Sequence, residues 1–209
     1  MVLDLPFRGR WLVQNSPARR VPSHGTDLFG VTYAIDFVAV DARGRSAPWA
    51  WRSLVATESE VGFAGFGAPI LAPAAGTVVV AHDGELDHRA RRSQLVLIPY
   101  ALGQARQARQ GMNALAGNHV VIALSPDGPY VAVVHLRHGS VQVRVGDRVG
   151  SGTQLAECGN SGNSTEPHVH VQVTDSTDWA TTRGLPLAFR GVGPGATTGI
   201  PANGSVVSA

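Results

Sequence analysis

The chain has no lysine, only one cysteine and few charged residues. All 17 of its basic residues are arginines, charged residues make up 15% of the 209 residues, and the net charge is +2. The arginine clusters at 19–20 and 89–92 have no interleaved aromatic residues, so we expect no nucleic-acid partner. No hydrophobic run approaches the length of a membrane-spanning helix, and we therefore expect a globular protein without a transmembrane segment.

The single cysteine, Cys158, excludes a disulfide bond within the chain and any zinc or iron–sulfur site built from cysteines. Its neighbours Glu157 and Gly159 belong to a turn-rich stretch. We therefore interpret Cys158 as a small packed residue rather than as a nucleophile.

The first residues, 1–8, lack the basic region and the apolar core of a signal peptide. The sequence therefore leaves the compartment open. The chain is cytoplasmic as given, exported by another route, or already processed.

Short β-strand signals, separated by Gly, Pro, Asp and Asn, dominate the chain. With 209 residues it is long enough for one well-buried domain and short for two. We expect an all-β fold with an antiparallel β-sheet core, forming a single domain over residues 1–190. Residues 191–209, rich in Gly, Ala, Thr and Ser, are predicted to be a flexible tail.

Two stretches, residues 41–66 and 85–117, interrupt the run of strands and are interpreted as helical or loop insertions. The first contains Trp49 and Trp51, whose rings can stack on a sugar or a peptide. The second contains a helix-forming run with arginines at residues 104–110. We expect both insertions to wall a substrate groove, and simple elaboration of the core is an equally good explanation.

Residues 67–78 and 146–155 share a weak pattern in which glycines and turns alternate with short apolar steps. A β core assembled from two related halves would produce such an internal similarity. We therefore expect the antiparallel core to consist of two related halves.

The segment Pro167 to Val173 alternates valines with polar residues and contains His168 and His170. Residues two apart on a β-strand point to the same face, so the two imidazoles would lie about 7 Å apart along the strand. Imidazole is costly to bury without partners. Two imidazoles on one strand face therefore indicate a site rather than plain packing.

Other residues can complete a hydrolytic metal centre, which needs about three protein ligands and an open position for water. Asp36 interrupts an apolar run, His135 ends a candidate strand, and His24 lies in a loop before Asp36. His170, Asp36 and His24 can supply the ligands, which suit zinc and other divalent transition metals. His135 and His168 can supply the groups that reach the water or the developing oxyanion.

These motifs follow one another in the order found in one enzyme family. The chain resembles the M23 zinc metallopeptidases, the lysostaphin and LytM-type peptidoglycan endopeptidases, over about residues 24–173. The resemblance implies a duplicated hybrid β motif as the fold. The matching motifs are Ala34-Ile35-Asp36-Phe37, residues 67–78, Gly117-Asn118-His119, Val134-His135-Leu136, residues 159–164 and Pro167-His168-Val169-His170.

The resemblance implies a role for each of these side chains. Asp36 and His170 would bind one zinc ion. His135 and His168 would activate water and stabilise the tetrahedral intermediate. The implied reaction is hydrolysis of peptide bonds in peptidoglycan stem peptides or cross-bridges, with a metal-activated water attacking the scissile carbonyl.

The chain departs from the family pattern at the first metal ligand, which normally stands four residues before the aspartate. That position holds Thr32, which cannot replace an imidazole. His24 is the nearby histidine, and we infer that a longer loop brings it back to the metal. Asp27 is a rival oxygen ligand, and the sequence leaves the choice between them open.

Asn118 and His119 are candidates to line the substrate groove together with Trp49 and Trp51. Both adjoin a candidate site strand. The alternatives are a capping or turn role for Asn118 and a structural role for His119.

Two other functions compete with a peptidase. The first is a non-catalytic binding or regulatory module on the same fold, as expected if the metal ligands are incomplete. The second is a phosphocarrier that uses two close histidines on a similar duplicated β architecture. Asp36 beside the histidines argues against a phosphocarrier, because its negative charge would repel a phosphoryl group.

Overall fold

A computed structural model gives the structure of residues 1–49, 56–91 and 112–209. Its centre is an eight-stranded sheet in the order β12-β2-β3-β10-β7-β6-β5-β8, in which all neighbours are antiparallel. The all-β, antiparallel prediction is therefore confirmed, with one exception, since the small ribbon β1-β11 is parallel. The strands are β1 (Val2–Leu3), β2 (Arg10–Gln14), β3 (Ile35–Ala39), β4 (Pro69–Leu71), β5 (Gly76–His82), β6 (Asn118–Ala123), β7 (Tyr130–Leu136), β8 (Arg148–Val149), β9 (Gln154–Glu157), β10 (Val169–Thr174), β11 (Ala188–Phe189) and β12 (Val206–Ser208).

Helical structure is sparse in these three ranges. It consists of one short α-helix, Met112–Ala116, and three 3-10 segments, Leu28–Tyr33, Glu60–Gly62 and Pro194–Ala196. Within Leu28–Tyr33, called the 28–33 segment below, Phe29 and Gly30 have left-handed φ angles of 60° and 74°. The segment is therefore two short turns joined at a kink. None of the described helices is long and apolar enough to span a lipid bilayer.

One face of the large sheet packs on the main hydrophobic core. Trp11 on β2 stacks on Phe7 at 4.5 Å between ring centroids, and Phe37 on β3 contacts the same Phe7 ring edge-on at 5.0 Å. Val171 on β10 belongs to the same core. A shift of one residue in the register of a strand would turn these side chains to the opposite face of the sheet. Their burial therefore determines which residues of β3 and β10 point away from the core.

A β-bulge near the end of β7 changes the direction in which its last side chains point. Val133 and Leu136 pack in the core, whereas strict alternation would place Leu136 on the opposite face. His135 has a left-handed φ of 62°, and the β6–β7 register shifts between Asn118 and Val120. The bulge therefore turns two consecutive residues, Val134 and His135, toward the face opposite the core.

The two predicted insertions pack against each other in their described parts. Residues 41–66 connect β3 to β4, and residues 85–117 connect β5 to β6. Glu58 and Ala90 exchange backbone hydrogen bonds of 3.0 and 2.9 Å. Phe63, Ala47 and Ala90 form a small separate core beside them. Trp51 lies outside the described residues.

The two segments that resemble each other in sequence are joined by strand pairing. Leu71 on β4 pairs with Gln154 on β9, and Gly76 on β5 pairs with Val149 on β8. Both pairings are antiparallel. The relation between the two halves stays a prediction from the sequence.

The prediction of a flexible tail is wrong for the end of the chain. Val206–Ser208 forms β12 and pairs with β2 at the edge of the large sheet, and Val207 is buried. Phe189 and Gly199 also exchange two backbone hydrogen bonds. The prediction relied on the Gly- and Thr-rich composition of the whole stretch. Near its end, however, a turn ends at Gly204, and the two β-branched valines that follow form a strand.

Candidate metal centre and active site

Three side chains on the open face of the sheet form a compact donor cluster. Nε2 of His24 lies 3.1 Å from Oδ2 of Asp36, and Nδ1 of His170 lies 2.8 Å from Oδ1 of the same carboxylate. One ligand atom from each residue lies within 4.8 Å of the others. Within the described part of the chain, no other group of three His, Cys, Asp or Glu residues meets this condition.

The sheet and one loop position these donors. Asp36 on β3 and His170 on β10 are directly paired across the two strands, with side chains on the face opposite the core. His24 comes from the loop between β2 and β3. The backbone N–H of Ser23 donates to the carbonyl of Thr32 at 2.9 Å, which turns the loop back toward β3.

Asp27, the rival ligand, lies away from this cluster. Its Oδ1 accepts a hydrogen bond from the hydroxyl of Thr32 at 2.9 Å, and its side chain is exposed. The hydroxyl of Thr32 is thus engaged with Asp27. Of the two alternatives left open by the sequence, the structure brings His24 to Asp36.

A second pair of imidazoles lies beside the cluster. The ring centroids of His135 and His168 are 4.7 Å apart, and that of His135 is 6.0 Å from that of His170. Nδ1 of His135 lies 3.0 Å from the carbonyl oxygen of Ser161, and Nδ1 of His168 lies 2.8 Å from that of Glu166. A carbonyl oxygen can only accept, so each Nδ1 carries the proton and the Nε2 atoms are left for other partners.

Burial and neighbouring charges shift two pKa values at the site. Burial lowers the pKa of His135 well below 6.5, and His168 and His170 add to this effect, so His135 is neutral at pH 7. Burial alone would raise the pKa of Asp36. The imidazoles beside it, His24 foremost, outweigh burial and hold that pKa well below 3.8. The site therefore combines an ionised carboxylate with a neutral imidazole.

The cluster and the imidazole pair open into one cavity of about 520 Å³. Apart from the site residues, its walls carry no ionisable side chain among the described residues. Leu115 and Ala116 come from the second insertion, which thus contributes to the wall as expected. The other wall residues are Asn15, Thr26, Phe29, Val31, Val134, Asn163, Thr165, Gln172 and Trp179.

The structure does not bring the expected groove residues to this cavity. Asn118 is buried, and its side-chain oxygen accepts two backbone N–H groups, from Gly84 and Glu85, both at 2.8 Å. His119 is 1% exposed and packs edge-on against Trp179 at 6.0 Å. Asn118 therefore holds the 84–85 turn, and His119 supports a wall residue instead of lining the cavity.

Trp49 lines a separate depression of about 240 Å³ on the same sheet face. Its side chain is 71% exposed. Leu12 and Val38, a directly paired couple on β2 and β3, form part of the floor. Glu166 joins the two sites, because its side chain lines this depression while its carbonyl oxygen holds His168.

Reasoning from the sequence did not identify three residues that contact the donor cluster. Nδ2 of Asn15 donates to Oδ2 of Asp36 at 2.7 Å, the hydroxyl of Ser23 lies 2.9 Å from Nδ1 of His24, and Oε1 of Gln172 lies 2.9 Å from Nε2 of His170. Strand alternation from His170 could have found Gln172. Asn15 has a left-handed φ of 47°, and no local pattern indicates its position.

The donor set fits a divalent metal ion. Two imidazole nitrogens and a carboxylate oxygen are ligands that zinc accepts, and three protein ligands leave a further coordination position open. The carboxylate is ionised, as a ligand must be. Each donor also has a polar partner of its own behind it, as metal ligands in proteins commonly have.

Several solved structures resemble the chain weakly. The catalytic domain of the antimicrobial peptidase lysostaphin from Staphylococcus simulans is 20% identical, with a TM-score of 0.39 over 73% of this chain and 74% of that one. The catalytic domain of the prophage-encoded M23 protein EnpA from Enterococcus faecalis, as a point mutant, is 16% identical, with a TM-score of 0.49 over 88% of this chain and 93% of that one. The M23 metalloprotease pseudoalterin from the deep sea is 14% identical, with a TM-score of 0.45 over 89% of this chain and 75% of that one. Comparison with curated protein sequences gives no significant match.

The family assignment rests on a sequence profile. The profile of peptidase family M23 matches residues 60–181, more than half of the chain. The matched range contains His135, His168 and His170, whereas His24 and Asp36 precede it. The resemblance seen in the motifs is thereby confirmed, and the chain belongs to peptidase family M23.

Proposed function

We propose that the chain is a metal-dependent endopeptidase that hydrolyses peptide bonds in peptidoglycan stem peptides or cross-bridges, with zinc as the metal. One observation carries this proposal. The donor cluster and the His135–His168 pair open into the same cavity, with His135 and His170 rings 6.0 Å apart. A hydrolytic centre needs this combination of metal ligands and nearby proton-transfer groups.

His24, Asp36 and His170 would hold the metal ion. When bound, a divalent cation supplies a Lewis acid that polarises a carbonyl and lowers the pKa of water toward roughly 7. The remaining requirements fall on the chain itself. It must orient the peptide, accept a proton from the attacking water and stabilise negative charge on the carbonyl oxygen.

His135 is a candidate for the proton acceptor because burial lowers its pKa and keeps its ring neutral, and its protonated Nδ1 is held by the Ser161 carbonyl. Nε2 is therefore free to accept a proton. Nε2 of His168, 3.8 Å from Oδ1 of Asp36, faces the same space. Because its Nδ1 carries the proton, this Nε2 would accept a hydrogen bond from the attacking water.

The cavity wall supports an uncharged peptide segment as the substrate. Phe29, Leu115 and Trp179 offer apolar contacts, and Asn163 and Thr165 offer neutral hydrogen-bonding groups. A peptide that continues past His168 would reach the depression beside Trp49, where the exposed ring can stack on a sugar or a side chain. Peptidoglycan as the source of the peptide comes from the family resemblance.

The proposal is tested by incubating zinc-loaded protein with muropeptides and with Gly-rich peptides, and analysing the products by mass spectrometry. We expect cleavage of at least one of these substrates, loss of cleavage with a chelator, and its return with added zinc. Intact substrates, despite about one zinc bound per chain, would overturn the peptidase and favour a binding module.

A further inference from the structure

Two backbone carbonyls of the 28–33 segment are connected to the donor cluster, each by one side chain that hydrogen-bonds both the carbonyl and a ligand histidine. The carbonyl of Val31 accepts a hydrogen bond from the Ser23 hydroxyl at 3.0 Å. The carbonyl of Phe29 accepts one from Nε2 of Gln172 at 3.0 Å. Ser23 and Gln172 are nearly inaccessible, at 1% and 2% exposure, so water does not compete for these bonds.

The connection from the Val31 carbonyl through Ser23 to His24, called the first relay below, determines which ring nitrogen of His24 carries the proton. The connection from Phe29 through Gln172 to His170 is called the second relay. Because the hydroxyl proton of Ser23 is donated to Val31, its oxygen can only accept from Nδ1 of His24, 2.9 Å away. With a metal bound, His24 would then keep its proton on Nδ1, and the lone pair of Nε2, the nitrogen that lies 3.1 Å from Oδ2 of Asp36, would face the metal. This is the orientation that a metal ligand requires.

The second relay fixes the proton of His170. The Phe29 carbonyl requires the amide NH2 of Gln172, which turns Oε1 toward Nε2 of His170 at 2.9 Å. A carbonyl oxygen accepts, so Nε2 of His170 carries a proton, and with a metal bound the lone pair of Nδ1, the nitrogen that lies 2.8 Å from Oδ1 of Asp36, would face the metal.

We infer that the 28–33 segment sets the tautomers of both ligand histidines, with Ser23 and Gln172 acting as positioning residues. The inference rests on the proposed metal centre and concerns how this chain builds it. The two ligands would bind through different ring nitrogens, Nε2 of His24 and Nδ1 of His170, the nitrogens that lie beside Asp36. His24 therefore needs its proton on Nδ1 and His170 needs its proton on Nε2. Each of these tautomers is set by a separate relay from the 28–33 segment.

The segment can serve both relays because it packs closely on β10. A Cβ added at Gly30, which has a left-handed φ of 74°, would lie 2.6 Å from Cγ2 of Thr174 and 3.5 Å from Nε2 of Gln172. The kink at Gly30 therefore lets the Phe29 and Val31 carbonyls approach Gln172 and Ser23 together. The loop that carries the displaced ligand His24 is in this way tied to the strand that carries His170.

The tautomers can be read directly from the protein loaded with zinc. Long-range proton–nitrogen NMR spectra of ¹⁵N-labelled chain, assigned with single His→Gln variants, report which ring nitrogen carries hydrogen. We expect the proton on Nδ1 in His24 and on Nε2 in His170. The reverse assignment for either ring would overturn the inference.

Zinc affinity provides the second readout, measured by chelator competition on folded variants. Ser23→Ala and Gln172→Met should each weaken zinc binding by about 10- to 100-fold, the usual effect of losing a partner behind a ligand. Ser23→Thr, which keeps a hydroxyl, should restore affinity in the serine series. Affinities within about twofold of wild type in both Ser23→Ala and Gln172→Met would contradict the inference.

Two controls separate this role from general stability. Ser16 is fully buried and its hydroxyl donates to the carbonyl of Pro201, away from the cluster. Thr174 is the next residue on the same face of β10. Ser16→Ala and Thr174→Val should lose stability without a comparable loss of zinc affinity. A chain with the expected tautomers that cleaves no peptide would contradict the proposed function and leave this inference standing.

Discussion

His135 and His168 face each other with ring centroids 4.7 Å apart, and a backbone carbonyl holds the Nδ1 of each ring. The pair depends on the bulge in β7, where the left-handed φ of His135 turns its side chain out of the core. Such strained residues cost about 1–3 kcal/mol and persist at functional sites. The strain at His135 is therefore consistent with a role in the reaction.

Removing either imidazole of this pair should slow catalysis strongly without removing the metal. We expect His135→Gln and His168→Gln to lower kcat/KM by about 10²- to 10⁴-fold, the range for a lost general acid or base. Zinc content should stay near that of wild type. His138→Gln, which changes an exposed histidine, is the control. Loss of zinc from both site variants would instead make the pair part of the metal ligation.

Gly30→Ala should disturb both stability and the metal centre. The left-handed φ and the close Thr174 methyl predict a loss of about 1–3 kcal/mol in the free energy of unfolding. Gly44 has the same φ of 74° but no atom within 4 Å of an added Cβ. Denaturant unfolding should therefore show a loss in both alanine variants, while chelator competition shows weakened zinc binding in Gly30→Ala alone. Equal zinc affinity in the two variants would contradict a role for the 28–33 segment.

His119 should make the metal-free protein less stable as pH falls. Burial lowers its pKa in the folded state below the unfolded value of 6.5. Between those two pKa values the unfolded chain binds more protons, so stability is lost as pH falls below 6.5, by at most about 1.4 kcal/mol per pH unit. Denaturant unfolding from pH 7 to 5 should give a shallower loss for His119→Asn than for wild type. Identical slopes would show that burial does not lower the pKa of His119.

Cys158 should be unreactive in the folded protein. It is fully buried, and burial, with a smaller effect of Asp87, raises the pKa of its thiol far above the usual value. Iodoacetamide at pH 8 should leave the native chain unlabelled and should label one thiol per chain after unfolding. Cys158→Ala gives the background. Rapid labelling of the native protein would contradict the packed-residue interpretation.

Strand alternation and the chemistry of side chains predicted much of the site. The valines of β10 place His170 on the face opposite the core, and an aspartate in the apolar run of β3 pairs with it. These features depend on the alternation of apolar and polar residues along a strand, which is visible in the sequence itself.

Other parts of the site depend on contacts between distant segments, which periodicity does not report. The β7 bulge places His135 one residue out of alternation, and the position of His24 depends on hydrogen bonds that close a loop. Asn118 and His119 were expected in the groove because they adjoin a site strand. Their side chains are instead taken up by the 84–85 turn and by packing against Trp179.

The zinc content of purified protein tests the metal centre most directly, with wild type compared with His24→Ala, Asp36→Ala and Asp27→Ala after dialysis against zinc. We expect about one zinc per chain in wild type and in Asp27→Ala, and much less in His24→Ala and Asp36→Ala. Undiminished zinc in His24→Ala, or its loss in Asp27→Ala alone, would contradict the assignment of His24 as the ligand that replaces the one missing at Thr32.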